Sequence, residues 1–301
     1  MKLLTSYIEY KMNRHSEIVN WENHMIGDSL LYSYRDTVYD LQSYPSSLHY
    51  HDYYELVMIE EGDIKYICNG AVYQPKYGDI ILVPPGSFHK SVIDCESTRY
   101  KRHVFYFYPT AFDWIGHSEL TAFLNDKKEA GVLTFDDIEV GTDLLGLLER
   151  LKKAFAPSHS LIDEALGLSY IINIFYLLNQ NISLPRNEVL ALPKKLLEIQ
   201  EYIDRNFAEI TSVSQLAEHF FYSREYISRL FKRYFDTTIS DYIMKRRIER
   251  SQALILQGIP MIDIAYRVGF ASLSTFIRSF RAVTDMTPSE YKKIRSGNKG
   301  A

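Results

Sequence analysis

From about residue 213 to 296 the apolar positions recur at three- and four-residue spacing, the period of a helix face, and the pattern is written twice. Leu216, Ala217, Phe220, Ile227, Leu230 and Phe231 mark the first copy; Ile264, Ala265, Val268, Phe276 and Phe280 mark the second. Aligned on Phe231 and Phe280, the copies stand 49 residues apart, and Ser223, Ile227, Arg229 and Phe235 are answered by Ser272, Phe276, Arg278 and Thr284. Upstream, Leu216 and Ala217 answer Ile264 and Ala265 at a spacing of 48, so the second turn is one residue longer. Each copy predicts a short helix, a tight turn, a serine cap and a longer helix ending in basic residues, which is a helix-turn-helix. KKLLEIQEYIDRNFAE, from Lys194, predicts a supporting helix ahead of the first copy. Between the copies, Ser240 is expected to cap a long helix that Gly258 ends.

The pattern upstream is different. From His49 to Phe107 apolar and polar residues alternate, punctuated by Gly62, Gly70 and Gly78, which predicts the hairpins of a small antiparallel barrel. Pro84 and Pro85 end one strand, since neither can donate to a ladder. Residues 1–45 read as lead-in strands or a loop. Leu144, Leu147, Leu148, Leu151 and Phe155 then share one helical face, and Pro157 stops that helix. A second helix from Ser160 to Gln180 carries a wide stripe of Leu161, Ala165, Leu168, Ile172, Phe175 and Leu178. Such a stripe must be buried, either on the chain's own barrel or against a second subunit. Residues 181–193, with Pro185 and Pro193, read as a linker.

Charge sharpens this division. The net charge of the chain is -4, yet residues 190–301 hold 18 Lys/Arg against 12 Asp/Glu, leaving 16 against 26 in the remainder. A basic C-terminal part suits a polyanion partner, and an acidic N-terminal part implies another task. Two cysteines without metal or redox spacing, Cys68 and Cys95, fit a reducing cytoplasm. The sequence has no signal-peptide pattern and no run of apolar residues long enough to imply a membrane partner.

Within the first helical copy, Arg224, Glu225, Ser228, Arg229 and Lys232 fall outside the core positions; in the second, Leu273, Ser274, Ile277, Arg278 and Arg281 do so. Arginine can bind guanine through two bonds, glutamate can accept from cytosine, and leucine or isoleucine can cover a thymine methyl. Lys232 and Arg281, with Arg246 and Arg247 on the connecting helix, are expected to touch phosphate. Arg229 and Arg278 have a structural alternative, a salt bridge to the supporting helices.

SREYISRLFKRYFDTTISDYI, RIERSQALIL and IDIAYRVGFASLSTFIRSFRAVTDMTPSEYKK together resemble the DNA-binding domain of the AraC/XylS family of bacterial transcription regulators. The resemblance runs from Pro193 to Arg295, and departs where Asp236 and Asp285 replace a glycine after each longer helix. HYHDYYE from His49 and GDIILVPPGSFH from Gly78 resemble the two motifs of the cupin superfamily, with Ser43 and Ile93 as departures. His49 and His51 lie two apart on one strand face, and Glu55 and His89 can meet them. Three imidazoles and a carboxylate suit a divalent transition metal; the same groups with Tyr66 could instead line an organic effector pocket, or serve structure alone.

The expected fold is therefore a two-domain chain: an N-terminal all-β cupin-like barrel with linker helices, and a C-terminal all-α domain with two helix-turn-helix motifs. The boundaries expected are 1–110 for an effector-sensing barrel, 111–182 for a helical linker and dimerisation region, and 190–301 for DNA binding. The expected function is a cytoplasmic, ligand-responsive transcription regulator that reads two adjacent major grooves of double-stranded DNA. The resemblance implies an activator of carbohydrate-use genes, a small-molecule effector such as a sugar, a homodimer, and contact with bacterial RNA polymerase. The alternative is a metal-dependent cupin enzyme with an appended helical domain.

Overall fold

In the computed structural model, residues 20–26, 29–40, 48–93, 96–124, 131–133, 138–156, 160–181 and 189–297 are described. They divide into two compact units, 1–191 and 192–301. Ser43, Cys95, Pro157 and Pro185 lie outside the described residues.

Among the described residues the first unit holds ten strands: β1 (Asn20–Ile26), β2 (Leu30–Asp40), β3 (Tyr54–Glu61), β4 (Lys65–Cys68), β5 (Ala71–Tyr73), β6 (Ile80–Val83), β7 (His89–Val92), β8 (Ser97–Phe107), β9 (Gly131–Leu133) and β10 (Val189–Ala191). They form a six-stranded sheet in the order β1-β2-β8-β3-β6-β9 and a four-stranded sheet in the order β10-β5-β4-β7. Side chains alternate between faces along each strand. Leu31, Tyr39, Val57, Ile59, Tyr100, Val104 and Tyr106 of the large sheet meet Tyr66, Cys68 and Tyr73 of the small one in a single buried cluster. The opposite face of the large sheet, through Leu30, Tyr32, Leu56, Met58, Phe105 and Phe107, is covered by two helices, α1 (Ile138–Ala154) and α2 (Leu161–Asn181).

The expected closed, cupin-like barrel is not formed. Among the described residues the large sheet ends at β1 and β9 and the small one at β10 and β7, so both sheets are open. The breaks have local causes. Gly62 takes φ 143 after β3, a conformation only glycine adopts readily. Pro84 and Pro85 follow β6 and cannot continue its ladder, so the chain crosses to β7 in the small sheet. Among the described residues an isolated bridge, His49 to His89, lies outside the named strands.

In α1, Leu144, Leu148, Leu151 and Phe155, just past its end, are buried, as their spacing predicts. The face that α2 buries is rotated from the predicted stripe: Ile171, Ile174, Phe175 and Leu178 are buried, while Leu161 and Ile162 are 81% exposed. Residues Leu161–Gln180 have a mean hydropathy of 1.5 and are long enough to cross a membrane, but this packed face makes α2 a core helix of the β-rich unit.

The second unit is helical: α3 (Lys194–Asn206), α4 (Val213–His219), α5 (Arg224–Phe235), α6 (Ile239–Leu256), α7 (Met261–Arg267), α8 (Leu273–Thr284) and α9 (Pro288–Gly297). The long α6 touches α3, α5, α7, α8 and α9 and so organises the unit. It starts two residues earlier than predicted, because Thr238 and not Ser240 caps it, accepting from the Asp241 N–H.

Candidate functional site

The cap chemistry of the two longer helices follows the sequence closely. Ser223 Oγ accepts from the Tyr226 N–H at 3.1 Å, and Ser272 Oγ accepts from the Thr275 N–H at 3.2 Å. At their other ends Asp236 (φ 51) and Asp285 (φ 60) take the left-handed conformation and return N–H bonds to Lys232 and Arg281 carbonyls. The aspartates therefore make the exit that glycine would make.

Between these ends, Ile227, Phe231 and Phe235 of α5 and Phe276, Phe280 and Thr284 of α8 face the core. Arg224, Glu225, Arg229 and Lys232 are exposed and Ser228 is half-buried. On α8, Ser274, Ile277, Arg278 and Arg281 are exposed, whereas Leu273 is half-buried and packs on the core. Neither Arg229 nor Arg278 forms an ion pair with a described residue, so the salt-bridge alternative has no support in the structure. Lys232 does pair, with Asp236 at 2.9 Å.

Arg246 and Arg247 depart from expectation. Arg246 is buried on α6, where its Nε bonds Asp204 at 2.7 Å, and it also pairs with Glu249. Arg247 donates to the carbonyls of Phe207 (2.9 Å) and Ile210 (2.7 Å). Both hold α6 to the residues around α3 and neither is placed as a phosphate contact.

In the β-rich unit, three of the four predicted ligating residues converge. One nitrogen each of His51 and His89 and one oxygen of Glu55 lie within 4.8 Å of one another, all buried. His49 is outside this group, although its ring centroid is 4.3 Å from that of His89. Tyr66 is buried and stacks on His89 at 6.0 Å. The Nδ1 of His51 lies 2.8 Å from the Tyr53 carbonyl and that of His89 lies 2.9 Å from the Ser87 carbonyl. A carbonyl can only accept, so each Nδ1 carries the proton. Each Nε2 then turns toward the same atom, Glu55 Oε2, at 3.1 and 3.0 Å. Burial holds His51 below its ordinary pKa, which favours the neutral ring and a lone pair on Nε2. Burial alone would raise Glu55, and its contacts with His51 and His89 hold the carboxyl well below the usual range only where a positive charge, a proton on Nε2 or a cation, lies between the three groups. Lone pairs from two imidazoles and a carboxylate aimed at one point fit a cation, and the carbonyl-held Nδ1 protons fix the tautomer a metal ligand needs.

A second grouping, Glu60, His103 and Glu149, is different in kind. Lys152 stands 3.7 Å from both Glu60 and Glu149, so an ammonium already supplies the positive charge there.

A β-rich half with a buried polar cluster, followed by a helical half whose basic positions face outward, defines a one-chain transcription regulator. A helix-turn-helix domain profile matches residues 216–294, and an AraC-like ligand binding domain profile matches residues 34–170. The Regulatory protein SoxS of Escherichia coli is 32% identical over 100 residues, covering 33% of this chain and 94% of SoxS. The HTH-type transcriptional activator RhaR of Mannheimia succiniciproducens is 22% identical over 253 residues, 82% of this chain and 87% of RhaR. The melibiose operon regulatory protein of Escherichia coli is 23% identical over 253 residues, 82% of this chain and 83% of that protein.

The chain belongs to the AraC family of helix-turn-helix transcription regulators. It is a ligand-responsive DNA-binding regulator and not a cupin enzyme, and regulators of this family act in the cytoplasm. One expectation is corrected here: a single helix-turn-helix domain spans 216–294, rather than two separate motifs. The pairs α4–α5 and α7–α8 are parts of that one domain, because both pack on the shared helix α6. The buried arginines Arg35 and Arg102 escaped the sequence reading. Their signal was a charged residue on the inward face of each of two strands rich in apolar and aromatic residues.

Proposed function

We propose that α5 and α8 carry the DNA-reading residues of the domain and serve adjacent major grooves of one duplex. The observation that supports this reading is the matched exposure of Arg229 and Arg278, at equivalent positions and without ion-pair partners among the described residues. The chain acts as an activator of carbohydrate-use genes, in keeping with the printed names of RhaR and the melibiose operon regulator, and contacts RNA polymerase when bound. A band-shift titration with the cognate operator tests the assignment. Arg229→Ala or Arg278→Ala should weaken cognate binding by about 1–3 kcal/mol and relax base preference, with thermal stability retained. Equal losses on cognate and random duplexes would assign both residues to phosphate.

His51, Glu55 and His89 are the residues that would hold a divalent transition ion. Such an ion would supply a cross-link between β3 of the large sheet, which carries Glu55, and β7 of the small one, which carries His89. His51 and His89 orient Nε2 through their carbonyl-bound Nδ1 protons, and Glu55 supplies the negative charge. Elemental analysis should find about one ion per chain, and chelation should lower the melting temperature. A metal-free protein that melts identically would return the cluster to a hydrogen-bonded structural role.

A further inference from the structure

The two reading helices present the same face built from different chemistry. On α5 the residues at i, i+3, i+4 and i+7 are Glu225, Ser228, Arg229 and Lys232; 49 residues on, α8 answers with Ser274, Ile277, Arg278 and Arg281. Helical period puts each set of four on one side of its helix. The core is met by Ile227, Phe231 and Phe235 on α5 and by Phe276, Phe280 and Thr284 on α8, so the four-residue faces look outward. The arginine at i+4 is common to both. The first two positions are exchanged: a carboxylate and a hydroxyl on α5 become a hydroxyl and an aliphatic side chain on α8.

Each exchange has a consequence for the duplex. Glu225 is exposed and forms no ion pair with a described residue. Its carboxylate can only accept, and a phosphate beside it would repel it, so the duplex must offer it a donor. In the major groove that donor is the exocyclic amine of cytosine or adenine. Ile277 is 36% exposed, on a face that holds two arginines and no carboxylate. Tyr226, the exposed large apolar residue of α5, lies off the four-residue face and tilts against Tyr222 at 5.1 Å. An isoleucine side chain has no hydrogen bond to make. The apolar group that an unmodified base pair shows in the major groove is the thymine C5-methyl. Arg278 and Arg281 beside Ile277 draw this face to the polyanion.

We propose that Ile277 reads a thymine by its methyl group while Glu225 reads an amino-bearing base, so the operator is directional: its two half-sites differ although the helices that read them are repeats. This rests on the assignment of α5 and α8 to adjacent grooves, and adds which base chemistry each groove must hold.

The test uses the full-length protein and unmethylated synthetic duplexes, so that any methyl in the groove belongs to thymine. The parent first selects its site from a random pool. Each thymine of that site is then replaced singly by deoxyuridine, which removes the methyl and leaves the pairing. One replacement, in the half-site whose preference Arg278→Ala relaxes, should weaken parent binding about 3–10-fold. Ile277→Ser, which copies Ser228, should lose about as much on the thymine site, keep its melting temperature, and be indifferent to that replacement. Ile277→Val should keep the sensitivity. In the other half-site Glu225→Gln should lose the preference for the amino-bearing base. The uridine scan of the parent decides the methyl contact even if Ile277→Ser folds poorly. No sensitive thymine, a sensitive thymine in the half-site that Arg229→Ala relaxes, or two selected half-sites of the same sequence would overturn the proposal while leaving base reading by the two arginines in place. A parent that enriches no sequence would overturn base reading by α5 and α8, and the proposal with it.

Discussion

Asp204 on α3 accepts the Nε–H of Arg246 on α6 at 2.7 Å, and the Arg246 side chain is almost wholly buried in making that contact. The Tyr242 hydroxyl donates to the same oxygen of Asp204 at 2.8 Å. The supporting helix is thus tied to the helix that organises the DNA-binding domain, by a buried charge with its neighbours satisfied.

Removing Arg246 leaves Asp204 without that partner and opens a gap beside Tyr242. Arg246→Ala should destabilise the second unit by about 3 kcal/mol, read by chemical denaturation. DNA affinity measured well below the new midpoint should stay near the parent value. A loss of affinity at unchanged stability would make Arg246 a DNA contact after all.

The turns before the two longer helices use the left-handed conformation differently. Gly269 has φ 90, and a Cβ there would stand 2.4 Å from the Ala208 carbonyl oxygen. Phe221 has φ 56 and is 95% exposed, so a β-carbon is tolerated sterically and strained conformationally. Phe221→Gly should stabilise the domain by about 1 kcal/mol, whereas Gly269→Ala should destabilise it by more than that. Thermal melts of the two variants check the opposite signs.

His103 makes a pH-dependent contribution. Burial, helped by the charge of Lys152, pushes its pKa down from 6.5 to about 3. Its Nδ1 lies 2.9 Å from the Tyr32 hydroxyl. The unfolded chain binds a proton below about pH 6.5 that the folded chain refuses, so this contribution is whole above that pH and is lost as pH falls. Stability should decline toward acid by up to about 1.4 kcal/mol per pH unit from this residue. His103→Gln should reduce that slope by about one proton; an unchanged slope would show that another group governs acid unfolding.

Dimer formation is expected through the outer side of α2. Phe175 cannot take part, since it is fully buried and packs against Phe105, Phe107 and Phe112. Ile162 at 81% exposure, Leu166 at 43% and Tyr176 at 54% lie on one side of this helix, and a second copy would cover them. Ile162→Asp with Leu166→Asp should yield a folded monomer in sedimentation, and Phe175→Asp should unfold the β-rich unit. A double variant that sediments as the parent does would move the interface elsewhere.

Some features of this protein were legible in a few consecutive residues. Ser223 and Ser272 cap helices because a cap involves only the next three residues. Ile227, Phe231 and Phe235 face inward because helical period places them so, and Pro84–Pro85 ends β6 because proline has no N–H. These are local consequences of backbone geometry, and the sequence by itself determined them. Other features depended on segments far apart in the chain. The pairing of Arg35 with Arg102 follows from the register of β2 and β8, and the open edges of the two sheets from which strands find partners. Arg246 and Arg247 were read as phosphate contacts beside Arg229 and Arg278. All four are arginines on helices, and only packing against α3 and its following turn separates the buried pair from the exposed one. The face that α2 buries was likewise chosen by the large sheet and α1, since its apolar residues spread over more than one side and its own sequence ranks none of those sides first.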